Sequence, residues 1–202
     1  DAPQAQAVPA LPFTSASHKH VELGPTFTVT PTAAVQQLNP VDVPAYGYLR
    51  HVLLDITSVG GVGGAGGPDY PWNILQSVTL QDVNGATIVG PIDGYALYIA
   101  NLVGGYSYNN DPGNIPGTVV SAPNPAFMVR VPVEISERDA LGALVNQNAA
   151  ANYKLSLAIN STTAVLATAY TTPPVHTIRV YAECWTLPAP VDARQRLQAQ
   201  VP

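Results

Sequence analysis

Apolar and polar residues alternate along several segments of the chain, and this alternation is typical of half-buried β-strands. In segment 127–135, FMVRVPVEI, the odd positions are Phe, Val, Val, Val and Ile, while the even positions carry Met, Arg, Pro and Glu. The segments 153–159 (YKLSLAI), 177–187 (TIRVYAECWTL) and 26–30 (TFTVT) alternate in the same way. The pattern therefore predicts strands with one apolar face each.

Three local signals refine this prediction. Segment 46–59, YGYLRHVLLDITSV, is long and apolar on both faces, which predicts a central strand covered on both sides. Asn84-Gly85 lies between two strand-like runs and is a strong hairpin signal, because both turn positions must accept a positive φ. Pro132 interrupts an otherwise regular strand, so an edge strand or a bulge is expected there.

Two short helices are predicted. Residues 136–139, Ser-Glu-Arg-Asp, have the spacing of a capping box, and apolar residues follow at helical spacing as far as residue 145. Glu137 is expected to interact with the dipole of that helix. Asp93 is the candidate N-cap of a second helix over residues 94–103, which ends at a Gly-Gly pair.

The distribution of proline and glycine sets the domain limits. The chain of 202 residues contains 20 Pro and 16 Gly, which stop helices and mark turns. Residues 1–20 and 189–202 have the composition of an extended N-terminal arm and a C-terminal tail. Residues 21–188 form the remaining domain. About eight strands with two short helices predict an all-β class, an antiparallel eight-stranded jelly-roll sandwich.

Composition narrows the choice of function. Charged residues make up 10% of the chain, against roughly 25% in an ordinary soluble domain. With 8 Lys and Arg against 13 Asp and Glu, the chain lacks a basic surface that would hold nucleic acid by its phosphates. A surface this poor in charge is either covered by partners or made soluble by neutral polar residues, as in a neutral secreted domain.

The cysteine count and the length of the longest apolar run exclude further classes of protein. Cys184 is the one cysteine, so neither an intrachain disulfide nor a paired-cysteine zinc site is available. It lies on the apolar face of its strand, where a thiol is usually a small buried hydrophobe. The longest apolar run, at 95–103, is shorter than the roughly 20 residues of a membrane span.

No motif predicts a cofactor or a metal site. Residues 61–66, GVGGAG, match a G-x-G-x-x-G pattern, but the Gly-Pro-Asp-Tyr-Pro that follows cannot open the helix that a dinucleotide site needs. A mobile loop between strands is expected there instead. His18 and His20 have the spacing of two ligands on one strand face, without further ligands at a suitable distance. His51 and His176 are isolated and are expected to be polar or hydrogen-bonded core residues.

No catalytic constellation is predicted either. The chain has no G-x-S-x-G nucleophile elbow. His51 and Asp55 share a strand face, but four residues of extended chain separate them by about 13 Å, which is too far for a hydrogen bond. Glu134 and Glu137 lie at a strand–helix junction and do not form an acid pair. The sequence therefore predicts no enzyme and no small-molecule substrate.

The tyrosines leave a binding role open. The chain has 10 Tyr against 3 Phe and 2 Trp, and tyrosine serves protein interfaces and sugar platforms alike. Tyr106 and Tyr108 fall in the Asn- and Gly-rich stretch YSYNNDPGN. The loops 60–72 and 106–115 are the candidate site of a receptor- or carbohydrate-binding sandwich, with Trp72 and Tyr106 as aromatic contacts.

The order of elements resembles the jelly-roll capsid proteins of tailless, internal-membrane double-stranded DNA bacteriophages and their relatives. The segments that carry this resemblance are an N-terminal arm, YLRHVLLDIT, PWNILQSVTLQDVNGATI with the following acidic-Gly turn and helix, FMVRVPVEIS, RDALGALVNQN, YKLSLAIN and HTIRVYAECWTLP. The resemblance covers residues 21–188, and its cues are structural rather than catalytic.

This resemblance implies a capsid subunit that resides in the virion shell. Barrels would pack side by side as a homo-oligomer, or together with a second capsid protein, and the terminal arms would reach neighbouring subunits or an internal membrane. Many relatives carry two barrels in one chain, whereas 202 residues hold one. A single-barrel coat, vertex or minor capsid protein is therefore implied. Low charge agrees with this role, because surfaces with few ions lose water without leaving unpaired charges.

Two functions remain after these exclusions. A virion coat subunit is favoured, and a receptor- or carbohydrate-binding sandwich is the alternative. They differ in native mass, because a coat subunit forms large assemblies, whereas a monomeric binding module has a mass of 21.1 kDa.

Overall fold

A computed structural model of the chain describes Phe13 and residues 17–104 and 123–188. Apart from Phe13 and residues 17–20, the predicted N-terminal arm lies outside the described residues. The C-terminal tail 189–202 and the candidate binding loop 106–115, including Tyr106 and Tyr108, lie outside them as well.

The described residues form mainly β-strands. In chain order the strands are β1 (Lys19–Val29), β2 (Gln36–Gln37), β3 (Val41–Asp42), β4 (Tyr48–Val59), β5 (Val62–Gly66), β6 (Leu75–Gln81), β7 (Thr87–Ile92), β8 (Ala126–Pro132), β9 (Leu144–Val145), β10 (Lys154–Ile159), β11 (Leu166–Thr172) and β12 (Val175–Trp185). The helices are α1 (Gly94–Val103) and the single turn α2 (Thr162–Val165), and a 3₁₀ turn spans Trp72–Ile74.

The strands form two main sheets that face each other. The β4 sheet has the order β1-β12-β4-β8, with β9 paired to the beginning of β4. The β10 sheet has the order β2-β10-β6-β7, with β3 paired to β10 beside β2. All these pairs are antiparallel, and the chain passes repeatedly between the two sheets, as in a jelly roll. The predicted fold class is confirmed.

The predicted number of eight strands differs from the twelve strands in the described residues. The additional strands are short or peripheral: β2 and β3 pair with opposite ends of β10, and β9 has two residues. Strands β5 and β11 form a separate two-stranded sheet. Each main sheet has four strand positions when β2 and β3 are counted as one interrupted strand and β9 is counted with β8, since both pair with β4.

Alternating side chains from the two sheets fill the core between them. In β12 every second residue from Ile178 to Cys184 is fully buried, as the alternation predicts. The β10 residues Leu155 and Ile159 are buried in the same way. The apolar face predicted for 127–135 ends early, because the strand stops at Pro132 and Ile135 is 76% exposed. Burying one such aliphatic side chain contributes about 1.5–3 kcal/mol.

Strand β4 is central, as its long apolar sequence predicts. It lies between β12 and β8, and its residues Val52, Leu54 and Ile56 are fully buried in the core. Its other face is half-buried and carries polar groups. Strand β8 and its terminal Pro132 lie at the edge of the sheet, which confirms the position expected for that proline.

Helix α1 forms where the sequence predicts it. The side chain of Asp93 accepts a hydrogen bond from the amide of Ala96 at 2.8 Å and so caps the first turn. The amide of Gly104 donates to the carbonyl of Ala100 at 2.9 Å and closes the last turn. The helix buries Leu97 and packs against β8, β6 and the 3₁₀ turn. Within the described residues, no helix has the length and apolar character needed to cross a membrane.

The helix predicted at 136–145 does not form. Ser136 instead forms an isolated antiparallel bridge with Leu141, and the last two residues of the segment belong to β9. Ala140 and Gly142 adopt φ values of +53° and +89°, in the left-handed region that interrupts a right-handed helix. The capping-box spacing therefore does not lead to a helix here, because left-handed backbone turns interrupt the predicted segment.

Strands β6 and β7 form the hairpin that Asn84-Gly85 predicts, although its turn is of a different type. Of these two residues only Gly85 has a positive φ, at +86°. The amide of Asp82 donates to the carbonyl of Ala86 at 2.8 Å, and its carboxylate accepts from the amides of Asn84 and Ala86. The connection is therefore a three-residue loop with one left-handed position.

The glycine-rich segment 61–66 forms a strand rather than the expected loop. Most of it is β5, which pairs with β11 and places Gly63 opposite Tyr170. Gly64 has a φ of +85°, and a Cβ there would lie 2.7 Å from the Tyr170 ring. The glycines therefore allow the backbone to lie close against that ring, which is a packing role.

Candidate functional site

A cluster of polar side chains lies on the outer face of the β4 sheet, where β4 begins and β12 ends. The Arg50 cluster consists of Lys19, Arg50, His51, Glu134, Glu137 and Trp185. Arg50 occupies a β-bulge, because His51 lies opposite Glu183 and Leu49 lies opposite Cys184. The extra residue turns the Arg50 side chain away from the core.

The centre of the cluster is a buried ion pair. Arg50 Nε donates to Glu134 Oε2 at 2.8 Å, and the two side chains are 8% and 1% exposed. The other carboxylate oxygen accepts from the indole Nε1 of Trp185 at 2.5 Å. The Arg50 guanidinium also lies 4.6 Å from the centre of the Trp185 ring. The buried carboxylate is thus satisfied by a charged donor and a neutral one.

The cluster extends to the start of β1 through Glu137. Arg50 Nη2 lies 3.3 Å from Glu137 Oε2, and the same carboxylate contacts Lys19. The hydrogen bond from Lys19 lowers the pKa of Glu137, with smaller contributions from the Arg50 charge. Glu137 therefore links two strands, and its expected interaction with a helix dipole is wrong.

His51 is buried beside the ion pair rather than placed for catalysis. Its Nε2 lies 3.8 Å from Glu134 Oε2. Burial lowers the pKa of His51 to about 3, and the positive charges of Arg50 and Arg130 act in the same direction. Asp55, the residue weighed as its catalytic partner, pairs with Arg179 at 3.3 Å.

Phe13 connects the N-terminal arm to this cluster. Its ring contacts Tyr48 edge to face, with centroids 5.0 Å apart, and lies 6.3 Å from the Trp185 ring. Aromatic pairs of this geometry add about 0.5–1.5 kcal/mol beyond the area they bury. A side chain of the predicted arm therefore docks on the barrel of its own chain.

The ion pairs leave the described surface with little free positive charge. Each of its Lys and Arg residues has an acidic partner within 4 Å: Lys19–Glu137, Arg50–Glu134, Arg130–Glu183, Arg138–Asp139, Lys154–Asp42 and Arg179–Asp55. The few positively charged side chains that the structure describes are thus all paired with acidic side chains.

A serine–histidine pair elsewhere in the core has the distance of a catalytic dyad. Ser58 Oγ lies 2.7 Å from His176 Nδ1, and both side chains are buried. Burial lowers the pKa of His176 to about 4, so the imidazole is neutral at neutral pH. The adjacent cavity measures about 10 Å³, enough for one water but not for a substrate. The pair is a core hydrogen bond, as expected of an isolated histidine.

The other candidate residues also have structural environments. Burial raises the pKa of the Cys184 thiol to about 12, so this thiol is a small core hydrophobe as predicted. His20 pairs with Glu22 at 2.8 Å and stacks on Tyr46. Residues 17–104 and 123–188 contain no group of three His, Cys, Asp or Glu arranged to hold a metal ion.

The aromatic contact predicted at Trp72 is not available for a ligand. Trp72 is 5% exposed and stacks on Tyr98 of α1 with the ring centroids 3.8 Å apart. It therefore fixes the helix to the barrel, and the receptor- or carbohydrate-binding alternative loses its described aromatic contact.

Comparison with solved structures shows which known folds this architecture resembles. The crystal structure of the STIV MCP, a viral major capsid protein, matches 91% of this chain and 52% of its own, with a TM-score of 0.51 and 17% identity. The PBCV-1 virus capsid matches 96% of this chain and 46% of its own, with a TM-score of 0.57 and 12% identity. The fold is that of viral jelly-roll capsid proteins.

The match covers most of this chain but a smaller part of each capsid chain. This jelly roll spans about half the length of the two capsid chains it resembles. No protein-family model matches the sequence, and no curated protein is similar to it in sequence. The likeness therefore lies in the fold.

Reasoning from the sequence missed the Arg50–Glu134–Trp185 interaction within this jelly roll. A signal was present, since Arg50 interrupts a long apolar strand and Glu134 follows another, in a chain with 8 basic residues. Pairing them required the sheet order, because β4 and β8 are distant in sequence and adjacent in space.

Proposed function

We propose that this protein is a coat subunit of a virus shell. The observation that carries the proposal is the jelly-roll fold, which matches viral capsid proteins over 91% and 96% of the chain. The subunit resides in the virion, and its work is assembly rather than catalysis. It needs no cofactor and no small-molecule substrate.

The charge distribution supports this role. Packing one barrel against another removes water from both surfaces, and an unpaired ion there is costly. Arg130 and Glu183, 3.0 Å apart, and Arg179 and Asp55, 3.3 Å apart, are already paired on the outer face of the β4 sheet. With a net charge of −5, the chain is not expected to bind a specific nucleic acid.

The length of the chain bears on its partners. Since it spans about half of the matched capsid chains, we infer that two barrels occupy the place of one longer chain. The second barrel is another copy of this chain or a second capsid protein. The N-terminal arm and the C-terminal tail contact neighbouring subunits or an internal membrane.

The proposal is tested by the native mass of the full-length protein. We expect rings or closed shells by mass photometry and electron microscopy, from the source material or from the purified chain over a range of concentration and salt. A monodisperse species of 21.1 kDa under all these conditions would contradict a coat role. Failure of the purified chain alone, with assembly restored by a second capsid protein from the same particle, would identify the hetero-oligomeric form.

A further inference from the structure

Three of the four edges of the main sheets carry features that block further strand pairing. The β8 edge ends in Pro132, and its backbone at Arg130 is hydrogen-bonded to the Asn101 side chain. The β7 edge contains Pro91 and pairs irregularly with β6. The fourth position of the β10 sheet is divided between the two-residue strands β2 and β3. Such features protect sheet edges from unwanted pairing.

The edge of β1 differs from these three. Its first five residues, 19–23, pair with β12 in a continuous register. The amide of Thr186 donates to the carbonyl of His18 at 2.8 Å, one position before Lys19 pairs with Trp185. Because hydrogen-bonded pairs alternate along an antiparallel ladder, His20 and Glu22 direct their backbone groups towards β12. The amides and carbonyls of residues 19, 21 and 23 therefore point away from the sheet.

The side chains along this edge are exposed as well. Val21 and Leu23 are 55% and 64% exposed on the outer face of the β4 sheet. An edge that combines outward backbone groups with exposed apolar side chains is a template for strand addition.

We propose that the segment Lys19–Leu23 pairs with the same segment of a second copy of this chain, antiparallel about a two-fold axis at Val21. In this register the two Val21 residues exchange hydrogen bonds, and Lys19 pairs with Leu23 of the second copy. All six outward amides then find carbonyl partners, and the contact is isologous because the same segment of each copy forms it. The inference goes beyond the coat role and does not depend on it.

Hydrogen-bonding complementarity selects a second copy as the partner. In the same register His20 lies opposite Glu22 of the second copy, on the face where His20 and Glu22 already lie 2.8 Å apart within one chain. A hydrogen-bonding pair across two strands is favourable, and the arrangement occurs twice by symmetry. The apolar Val21 side chains meet at the axis on the other face.

The end of the open edge limits the register on one side. After Leu23 the pairing with β12 is irregular, and Pro25 has no amide to donate. Shifting the contact towards Pro25 would lose hydrogen bonds and place Val21 opposite other side chains. The interface thus ends at Leu23 on this side, and it joins the β4 sheets of the two copies into one continuous sheet.

Cysteine cross-linking of the full-length chain tests this register. In Val21→Cys the two introduced residues face each other with Cα atoms about 5.5 Å apart, within disulfide range. In Leu23→Cys they lie four residues apart along the paired strands, about 13 Å and out of range. Val59→Cys is the matched control, because Val59 at the end of β4 is 63% exposed, which is similar to Val21, and lies away from the β1 edge. The native Cys184 is buried and does not compete.

We expect Val21→Cys to form a reducible dimer in about tenfold higher yield than either other variant, because pairing raises the local thiol concentration. Equal yields from all three, or no dimer from Val21→Cys, would overturn the proposal and leave the coat role to its own test. A monomeric Val21→Cys variant whose introduced thiol is shielded from a bulky maleimide would overturn it too, because the chain's own arm or tail would then cover the edge.

A charge substitution gives a second, independent measurement. In the double variant Val21→Lys, Leu23→Lys, like charges face each other across the two-fold axis, and we expect at least about tenfold weaker dimerisation in sedimentation equilibrium. Val59→Lys adds the same charge to an exposed valine away from the edge and should leave dimerisation unchanged. Similar weakening by both would show that general charge, not the edge, controls association.

Discussion

The side chain of Asn101 pairs with the backbone of Arg130 through two hydrogen bonds. The amide Nδ2 of Asn101 donates to the Arg130 carbonyl at 2.7 Å, and the Arg130 amide donates to Asn101 Oδ1 at 2.6 Å. Asn124 forms the same pair of bonds with the backbone of Gly61, at 3.2 Å and 2.7 Å. Each side-chain amide thus takes the place that a neighbouring strand would fill.

Replacing Asn101 by alanine should lower the free energy of unfolding by about 2–4 kcal/mol, because a backbone amide and a carbonyl lose their partners in a largely buried place. Urea unfolding followed by circular dichroism measures the change. Asn84→Ala is the control, since Asn84 is exposed in a turn, and it should change stability by less than about 0.5 kcal/mol. Equal stability of the two variants would show that water satisfies the β8 edge.

Removing the carboxylate of Glu134 should be more damaging. Glu134→Gln leaves the buried Arg50 guanidinium with only the exposed carboxylate of Glu137 as counter-ion, and we expect a loss of about 3 kcal/mol. In the double variant Arg50→Met, Glu134→Leu, the loss should be smaller than the sum of the single changes, because no buried charge is stranded. Arg138→Ala, which removes one exposed partner of an ion pair, should cost less than about 0.5 kcal/mol. If the double variant loses as much stability as the two single variants together, Arg50 and Glu134 are not energetically coupled.

The two buried histidines predict a fall in stability on mild acidification. Burial lowers the pKa of His51 to about 3 and that of His176 to about 4, from an ordinary value near 6.5. Below about pH 6.5 the unfolded chain takes up protons on these groups while the folded chain does not. Stability is therefore full above pH 6.5 and declines as the pH falls towards 4, by about 2 kcal/mol per histidine between pH 7 and pH 5.

Urea unfolding midpoints of variants measured between pH 7 and pH 5 would test this dependence. His176→Gln and His51→Gln should each flatten the decline, whatever they do to stability at pH 7. His18→Gln, at an exposed histidine, should leave the slope unchanged. If neither buried-site variant alters the slope, carboxylates rather than histidines govern the response to acid.

Replacing Gly94 at the start of α1 by alanine should not give the stabilisation that this change normally gives within a helix. Gly→Ala usually stabilises a helix interior by about 1 kcal/mol. At Gly94 a Cβ would lie 2.1 Å from the backbone carbonyl oxygen of Trp72, so Gly94→Ala should destabilise the fold instead. Thermal unfolding measures the sign. Gly60→Asn is a suitable comparison, because no atom lies within 4 Å of a Cβ there and asparagine tolerates its positive φ.

The sequence predicts those parts of the fold that depend on local periodicity. Alternation identified β8, β10 and β12 and their buried faces, and Asp93 marked the beginning of α1. The fold class followed from these elements. The failed helix at 136–145 shows the limit of this reasoning, because Ala140 and Gly142 adopt left-handed conformations that the spacing of apolar residues does not reveal.

Long-range pairing explains the remaining differences. The segment 61–66 is glycine-rich and reads as a loop, but β11, about 100 residues further along the chain, supplies the partner that makes it a strand. The Arg50–Glu134 pair depends in the same way on β4 lying beside β8. The open edge of β1 could be recognised only after the other three edges had been located.

The pairing of β1 with β12 also has a consequence for how longer proteins of this architecture can arise. Lys19 lies opposite Trp185, so the barrel's first and last strands meet at the same end. A duplicated gene would encode a second barrel that begins where the first one finishes. A connection from Trp185 of one barrel to Lys19 of the next would then leave and enter at the same end of each barrel. Tandem fusion of two copies through such a connection would therefore preserve the fold of each.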